Sequence, residues 1–523
     1  MASPQLSGQK DALQWWQEHV TREQYVLARQ EHPEGRGRRW LLRTGHAVEV
    51  AGGQVWILTT PDMEDHTELC RRNYWAVVEA LLANYEPAVL ERESAVRLYL
   101  DDRTPPEQLR IRQASNESRY KIEICEGLHV QIVAGAVPGD RCLSVDVNGS
   151  TLQVDRPEHT LLTMRLRTLR AHLEEVTIWL QGLVVSNPAL QEEWAEDAHP
   201  VLLKRMAEIA RQAGNERLHK QLTEFLDRES KARVSKARSG VGSEIVVPAR
   251  VTDARASTPW LTRHAVRWRR WEEQVRQEVV SRAADLPVYG LETLLEWAQQ
   301  EKTYDAYHST TIEGYRITPE AVQAVIEGRP FGGHEPEEVR ARAAVEGYSV
   351  AFERCMETAR SSHGGLRLDQ KLVLDLHADL FSPSVEAGIV DPGALRGWRN
   401  QPAYIRGTRY VPPAPGKLSD LMHQYFDRVS EESGDPIVRA ALAHLDFVAI
   451  HPFRDGNGRT ARFLMNLVLM DAGLPWTTIR TDDRIAYFKA LDAATTEDDA
   501  GAFGAFILEY VIRALERLTR AGL

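Results

Sequence analysis

The stretch HPFRDGNGRTAR, residues 451 to 462, decides the fold of the C-terminal half of this 523-residue chain. The runs on both sides of it, residues 436–450 and 463–470, are apolar and show the helical period. They predict two buried helices, the first ending near Ile450. The residues between them are therefore predicted to form a tight loop that joins two core helices.

The backbone of this loop is predicted to bind an anion. Pro452 ends the first helix, because its ring clashes with a helical continuation. Gly456 and Gly458 allow positive φ angles and a close approach of the backbone to a ligand. The second helix is predicted to begin near Asn457, so its free N–H groups would point into the loop, as in many phosphate sites.

The side chains of the loop add the charges that phosphate chemistry needs. Arg459 and Arg462 lie three residues apart on one helix face, and each offers a planar fork to phosphate oxygens. Asp455 supplies a hard carboxylate of the kind that holds Mg²⁺ against phosphates. His451 can accept a proton near pH 7, and Phe453 is predicted to anchor the loop. The combination predicts phosphoryl or nucleotidyl transfer.

The segment 451–462 resembles the signature of the Fic family, His-x-Phe-x-(Asp/Glu)-Gly-Asn-Gly-Arg-x-x-Arg, at every position. LHADLF at 376–381 also resembles that family, and the resemblance extends over roughly residues 295 to 512. It implies a protein adenylyltransferase, which transfers AMP from ATP to a Tyr, Thr or Ser hydroxyl of a target protein. It also implies that His451 is the general base and that Asp455 binds Mg²⁺.

The same resemblance implies the nucleotide contacts. Asn457 and the amides of Gly456 and Gly458 would hold the α-phosphate, and Arg459 and Arg462 would hold the β- and γ-phosphates.

An aromatic pair, Tyr487 and Phe488, resembles the pair that the family places beside the adenine. Thr495 stands where the family has an asparagine, which leaves the purine preference open. The alternative interpretation is that both aromatic residues belong to the core.

The segment RGWRNQPAYIRGTRYVPP, residues 396 to 413, interrupts the helical period and is predicted to form a β-hairpin flap. The resemblance implies that the flap around Tyr404, Ile405 and Thr408 aligns the target's backbone as an added strand.

The stretch YHSTTIEGYRIT, residues 307 to 318, predicts a helix end with Gly314 as its C′ residue. Ser309, Glu313 and Gly314 resemble the family's inhibitory motif, (Ser/Thr)-x-x-x-Glu-(Gly/Asn), in its N-terminal, second-class position. A Glu313 carboxylate paired bidentately with Arg462 would occupy the fork that the γ-phosphate needs. The alternative is that Glu313 is an exposed helix residue. In some inhibited members the same glutamate assists removal of AMP, so the direction of the reaction stays open.

Residues 1–60 are predicted to form two helices, the second from Arg22 to Glu31 with Thr21 as its cap, and then a hairpin. The hairpin VEVAGGQVWIL would turn at the two residues Gly52-Gly53. This order is that of a winged helix, with nearby arginines for phosphate contacts: Arg36, Arg38, Arg39 and Arg43. The alternative is a small helical cap with a solvated charged loop.

Residues 61–227 are predicted to form an α+β and helical regulatory module. It would contain a helix over Tyr74 to Asn84, a helical run from 157 onward, and strands in AVRLYL, YKIEICEGLHVQIVAG and CLSVDV. The element order of residues 1–227 resembles that of AbiEi-type antitoxin-like regulators.

The complete prediction is a multidomain chain. A linker over 228–256, rich in basic residues, Gly and Ser, separates the N-terminal α+β module from a mainly α-helical Fic fold. Within that fold, residues 257–370 would contain the inhibitory helix and residues 371–523 the catalytic core.

The composition limits the alternatives. The sequence has no run of about 18 apolar residues, so no membrane span is predicted. The N-terminus lacks the apolar core of a signal peptide. Four cysteines without metal-ligand spacing argue against a zinc site or a disulfide scaffold and favour a reducing cytoplasm: Cys70, Cys125, Cys142 and Cys355. The net charge of −11 argues against a protein that coats nucleic acid.

The leading hypothesis is a protein adenylyltransferase that is autoinhibited by Glu313. The alternatives are removal of AMP from modified proteins, a DNA-binding toxin–antitoxin-type regulator with a nucleotide-sensing domain, and another phosphotransferase. The partners would be ATP, a target protein with a Tyr, Thr or Ser acceptor, DNA through residues 1–60, and a second copy that pins the Glu313 helix.

Overall fold

The chain divides into two compact units, Met1–Arg263 and His264–Leu523. The computed structural model describes these residues: 4–21, 25–60, 65–114, 120–137, 142–156, 160, 176, 200–212, 216, 219–220, 222–224, 226–227, 259–329, 335–362, 365–395, 397–430 and 434–523. The linker predicted over 228–256 lies outside them, as does most of the helical run predicted from 157. No helix in the described ranges has the length and apolar character needed to cross a membrane.

The first unit begins with a small three-stranded antiparallel sheet in the order β1-β3-β2. Its elements are α1 (Gln9–Thr21), β1 (Val26–Ala28), α2 (Arg36–Arg43), β2 (Ala47–Val50) and β3 (Val55–Leu58). Leu41 of α2 packs with Trp56 and Leu58 of β3 in a buried cluster. This cluster holds α2 against the sheet through one face.

Two predictions for this region are wrong in detail. The described residues of the predicted helix Arg22–Glu31 form strand β1 and a single 3₁₀ turn, because Val26 pairs with Ile57 of β3. Long-range pairing here overrides the local helical preference. The hairpin is confirmed, but its loop has four residues, since Val50 pairs with Val55 across Ala51–Gln54.

A six-stranded mixed sheet follows, in the order β6-β7-β5-β4-β9-β8. Its strands are β4 (Ala88–Leu90), β5 (Gln108–Gln113), β6 (Tyr120–Cys125), β7 (Leu128–Ala134), β8 (Cys142–Val147) and β9 (Ser150–Asp155). The helices with it are α3 (His66–Arg72), α4 (Tyr74–Asn84) and α5 (Glu93–Tyr99), and α6 (Pro200–Gln212) is described further along the chain.

The sheet and α4 confirm most of the predicted elements of this module. AVRLYL is the exception, because its residues belong mainly to helix α5 instead of a strand. A short apolar run does not distinguish a strand from a buried helix turn, and here Ala95, Val96 and Leu98 are all buried on the helix.

The second unit is helical in its described ranges. Its helices are α7 (Pro259–Ala283), which begins just before the unit boundary, α8 (Leu291–Ile312), α9 (Pro319–Ile326), α10 (Pro336–Ser362), α11 (Gln370–Glu386), α12 (Leu418–Val429), α13 (Pro436–Ile450), α14 (Asn457–Asp471), α15 (Arg484–Asp492) and α16 (Gly501–Arg520). Helices α13 and α14 pack together in the core, and α8 lies against α14.

The predicted β-hairpin is not present as paired strands. The described residues 397–413 are extended, with a turn at 406–407, and contain no strand. Pro402, Pro412 and Pro413 lack the N–H group that a strand ladder needs, which disfavours internal pairing. The segment is called the flap below.

Candidate active site

The loop between α13 and α14 has the predicted bounds. Helix α13 ends at Ile450, His451 adopts a left-handed conformation with φ 53° and ψ 58°, and α14 begins at Asn457. The Asn457 side chain accepts a hydrogen bond from Phe453 N at 2.9 Å and donates one to Phe453 O at 2.9 Å. Asn457 therefore braces the loop with its side chain, and its predicted contact with the α-phosphate stays a prediction.

The two glycines of the loop lie where no side chain fits. A Cβ on Gly456, which has φ 83°, would lie 2.6 Å from the Phe381 ring. A Cβ on Gly458 would lie 2.4 Å from Glu313 Oε1. The bare first turn of α14 is thus covered by the Glu313 carboxylate, at the place where helix N–H groups would bind an anion.

His377 of α11 supports the loop by ring stacking and by a hydrogen bond. Its ring stacks on Phe453 with centroids 3.6 Å apart, and its Nε2 donates to Asp455 O at 3.0 Å. Burial lowers the pKa of His377 to about 4, although the bond to Asp455 O opposes this. His377 was identified in the sequence only as part of LHADLF, and its role in supporting the loop was not predicted.

His451 is arranged to accept a proton. Its Nδ1–H donates to Val448 O at 3.2 Å, which leaves the lone pair of Nε2 available. Burial and then the Arg399 charge lower the pKa of His451 to about 4, while Glu313 and Asp455 act in the opposite direction. The ring is therefore neutral at pH 7.

Arg462 and the predicted inhibitory residues are in direct contact. Arg462 Nη2 donates to Glu313 Oε1 at 2.7 Å and to Ser309 O at 3.0 Å, and its Nε donates to Ser309 Oγ at 2.8 Å. The pairing with Glu313 uses one carboxylate oxygen, so it is not the bidentate pair that was predicted. Burial opposes the charge on Arg462, but Glu313 and Tyr487 together raise its pKa. Gly314 follows with φ 96°, as the predicted helix end requires.

Arg459 has no hydrogen-bond partner among the described residues. Its guanidinium is 1% exposed and lies between the rings of Tyr315, at 5.5 Å, and Phe381, at 5.0 Å. All three of its side-chain nitrogens lack a hydrogen bond, and the nearest carboxylate, Asp455, is 3.9 Å away. Buried polar groups in proteins are almost always hydrogen-bonded, so this arrangement indicates a site for an anionic ligand.

Asp455 is the one loop carboxylate that could hold a cation. Its side chain is 65% exposed, and Oδ1 accepts from Gly456 N at 2.6 Å. No cluster of three His, Cys, Asp or Glu side chains in the described ranges could hold a metal ion. A single carboxylate fits Mg²⁺ when phosphate oxygens and water supply the other ligands.

The region that contains this loop matches a known protein family. Residues 367–469 match the model of the Fic/DOC family. The C-terminal region carries a Fic/DOC domain.

Two curated relatives illustrate the similarity. Protein adenylyltransferase Fic of Drosophila willistoni is 33% identical over 247 residues, 45% of each chain. The protein of the same name from Aedes aegypti is 32% identical over 213 residues, 40% of each chain. The chain thus spans less than half the length of these relatives.

Solved structures with a similar fold include Fic-1 (aa134–508) from C. elegans. It is 20% identical, covers 68% of this chain and 96% of its own, and has a TM-score of 0.38. A Fic domain containing signaling protein from Bacteroides thetaiotaomicron is 21% identical, covers 49% of this chain and 96% of its own, and also has a TM-score of 0.38.

The two aromatic residues predicted beside the adenine have different surroundings in the Fic domain. Tyr487 is buried, and its hydroxyl contacts His444 Nε2 at 2.9 Å and Arg462 Nη1 at 3.4 Å. Phe488 is 38% exposed, with the Arg484 guanidinium 4.7 Å from its ring centroid. Tyr487 therefore holds Arg462 from the core, and only Phe488 presents a ring to solvent. Thr495, in the π-helical turn Ala493–Glu497 that follows α15, donates to Leu491 O at 2.9 Å.

The three flap residues also differ. Tyr404 is 38% exposed and Ile405 is partly buried. Thr408 donates to Asp492 and accepts from Tyr410 N, so it anchors the flap to α15. Tyr404 and Ile405 are the members of the predicted set that could face a target.

Proposed function

We propose that the Fic domain is a protein adenylyltransferase that is held inactive by Glu313. The observation that carries this proposal is the set of contacts made by two arginines in the first turns of α14. Arg459 is buried without a hydrogen bond, and Arg462 is engaged by Glu313, which lies against Gly458. A polyphosphate would give Arg459 the hydrogen-bond acceptors that it lacks, and it would replace Glu313 as the partner of Arg462. The curated relatives over this region are adenylyltransferases by name.

The reaction follows from the position of His451. The acceptor hydroxyl of a target protein would give its proton to Nε2 of His451 as its oxygen attacks the α-phosphorus of ATP. A bond forms between the acceptor oxygen and the α-phosphorus, and the bond to pyrophosphate breaks. Backbone N–H groups of Gly456 and Gly458 would hold the α-phosphate, and Arg459 and Arg462 the outer phosphates.

Asp455 would hold Mg²⁺, which when bound would offset the charge of the phosphates. The exposed Tyr404 and the partly buried Ile405 would present the target's backbone to His451.

Glu313 would inhibit the reaction by competing with ATP for Arg462. While Glu313 holds this side chain, the γ-phosphate has no fork to bind, and the α-phosphorus is displaced from the line of attack. A misplacement of about 1 Å can cost on the order of 10²-fold in rate.

The test is incubation with ATP labelled at the α-phosphorus, comparing the wild type, Glu313→Gly, and Glu313→Gly combined with His451→Ala. Label should appear in Glu313→Gly and vanish in the double variant. No label in any variant, with ATP still bound, would reject AMP transfer. Label from the γ-phosphorus instead would identify a kinase. Loss of AMP from a pre-modified target in the wild type, without added pyrophosphate, would identify hydrolytic removal of AMP.

A second candidate function, DNA binding by residues 1–60, is favoured by one surface. Arg36, Arg39 and Arg43 are exposed on α2 and fall within about 60° of the helix circumference. Among the described residues none of the three has a hydrogen bond or ion pair, whereas Arg38 pairs with Glu49. Such a stripe suits the phosphates of duplex DNA.

Duplex binding by the full chain can be measured by fluorescence anisotropy over a range of salt concentrations. Replacing the three arginines with glutamine should reduce the slope of log affinity against log salt by about 3, at roughly 0.9 per phosphate contact. No binding of the wild type at low salt would reject this function. A cytoplasmic location and a homodimer that pins the Glu313 helix remain predictions.

A further inference from the structure

Arg399 lies at the base of the flap and contacts the carbonyls of four different residues. Its side chain is buried, and Nε donates to His451 O at 2.8 Å. Nη1 donates to Gln401 O at 2.9 Å, and Nη2 to Pro413 O at 2.5 Å. Its backbone N–H donates to Pro452 O at 2.8 Å.

These acceptors belong to two separate segments, the flap and the loop between α13 and α14. Gln401 lies in the first part of the flap and Pro413 at its end, and His451, the candidate base, and Pro452 begin the loop between α13 and α14. One guanidinium therefore closes the flap and joins it to this loop. A planar fork with fixed directions can satisfy three carbonyls at once, which an ammonium group cannot do with the same geometry.

The flap needs such an anchor. The described residues 397–413 contain no strand, so the flap has no ladder of its own to fix its shape. Other contacts also hold the flap: Thr408 bonds to Asp492, Tyr410 OH donates to Ala449 O, and the Trp398 ring lies 5.3 Å from the Phe453 ring. Arg399 adds the hydrogen bonds that tie Gln401 and Pro413 to each other and to His451 O.

The same contact bears on the conformation of the base. His451 is a non-glycine residue with φ 53°, a left-handed backbone conformation that costs free energy unless its surroundings enforce it. The bond from Arg399 Nε to its carbonyl is one of the contacts that enforce it. The Arg399 charge also opposes protonation of the ring, against Glu313 and Asp455, which favour it.

We propose that Arg399 is a positioning residue that sets the distance between the flap and His451. It would thereby place the hydroxyl of a flap-bound target against Nε2. The proposal rests on the proposed adenylyltransferase function and adds to it a residue that touches neither ATP nor the acceptor. A merely structural arginine would lower stability and impair every step alike.

The experiment uses the full chain with Glu313→Gly, and adds Arg399→Lys or Arg399→Gln. The matched control is Arg367→Gln, because Arg367 is exposed and has no polar contact within the described ranges. The readouts are the ATP dissociation constant, the steady-state kinetics of AMP transfer to the protein acceptor, and the titration of His451 by NMR.

Both Arg399 variants should lose about 10²-fold in kcat/KM for the acceptor, the scale of a 1 Å misplacement, while ATP affinity changes less than threefold. The pKa of His451 should rise in Arg399→Gln and stay low in Arg399→Lys, which keeps the charge. Arg367→Gln should change neither quantity. Acceptor kcat/KM within threefold of the parent, or an equal loss of ATP affinity, would overturn the proposal.

Two further measurements keep the outcome decisive. If Arg399→Gln fails to fold, Arg399→Lys alone is compared with the parent, and the same limits apply. If Glu313→Gly transfers no AMP, the proposed function fails, and Arg399 is then judged by hydrogen exchange of the flap. Faster exchange over residues 403–411 in Arg399→Lys would support the anchoring role, and unchanged exchange would refute it.

Discussion

Replacing Glu313 with glutamine tests whether the carboxylate and ATP compete for Arg462. Glutamine keeps the shape of the side chain and an acceptor oxygen, so the variant removes only the charge from the 2.7 Å contact. The Glu313 side chain is 24% exposed, and Arg462 keeps its bonds to Ser309. We therefore expect a loss of about 1–2 kcal/mol, below the cost of abandoning a fully buried charge.

The same free-energy difference should appear in two measurements, the opening of the turn that carries Glu313 and the binding of ATP. Opening of the turn that carries Glu313 should become easier by a factor of roughly 5–30, which is what 1–2 kcal/mol is worth. If ATP binding requires Arg462 to leave Glu313, the same free energy should tighten ATP binding by up to the same factor.

Native-state hydrogen exchange over residues 310–316 measures the opening, and calorimetric titration measures ATP binding. Local exchange is the better observable, because a chain of two units has no single well-defined unfolding free energy. Glu320→Gln, an exposed charge change on α9, is the matched control. Unchanged exchange together with unchanged ATP affinity in Glu313→Gln would refute the competition.

Three shorter predictions follow from the same site. Arg459→Lys should weaken ATP binding by at least about tenfold, because an ammonium cannot replace the buried fork; calorimetry showing equal affinity would contradict the phosphate role. Gly456→Ala should destabilise the structure around α14 by roughly 1–3 kcal/mol, through the clash with Phe381 and the positive φ; unchanged native-state hydrogen exchange over α14 would contradict this. His377 and His451 have a folded pKa of about 4 against 6.5, so the unfolded chain binds protons first and stability should fall as pH drops from 6.5 to 4. Each histidine contributes up to about 3 kcal/mol to this loss of stability. The melting temperature of the His377→Phe variant should therefore depend less steeply on pH than that of the wild type.

The sequence predicted the local part of the site well. The helix end at Ile450, the helix start at Asn457 and the C′ glycine at 314 are all present, because caps, proline and glycine act within a few residues. It also named Arg462 and Glu313 as a pair, through resemblance to a family motif.

It could not predict which side chains support those residues from a distance. Tyr487 holds Arg462 from another helix, His377 holds the loop from below, and Arg399 joins it to the flap. Each contact depends on how remote segments pack, and no local pattern encodes it. The same limit explains strand β1, where pairing with β3 decided the conformation.

The turn after α8 contacts both arginines in the first turns of α14. Glu313 bonds to Arg462, and two residues later the Tyr315 ring covers the guanidinium of Arg459 at 5.5 Å. Because one turn carries both contacts, moving it would release Arg462 and uncover Arg459 in the same step. A cavity of about 360 Å³ lies beside this turn, lined by Glu313, Gly314, Tyr315, Arg316, Glu337 and Arg340. The proposed inhibition would therefore depend on the position of a few residues at a helix end, where the free-energy cost of a conformational change is low.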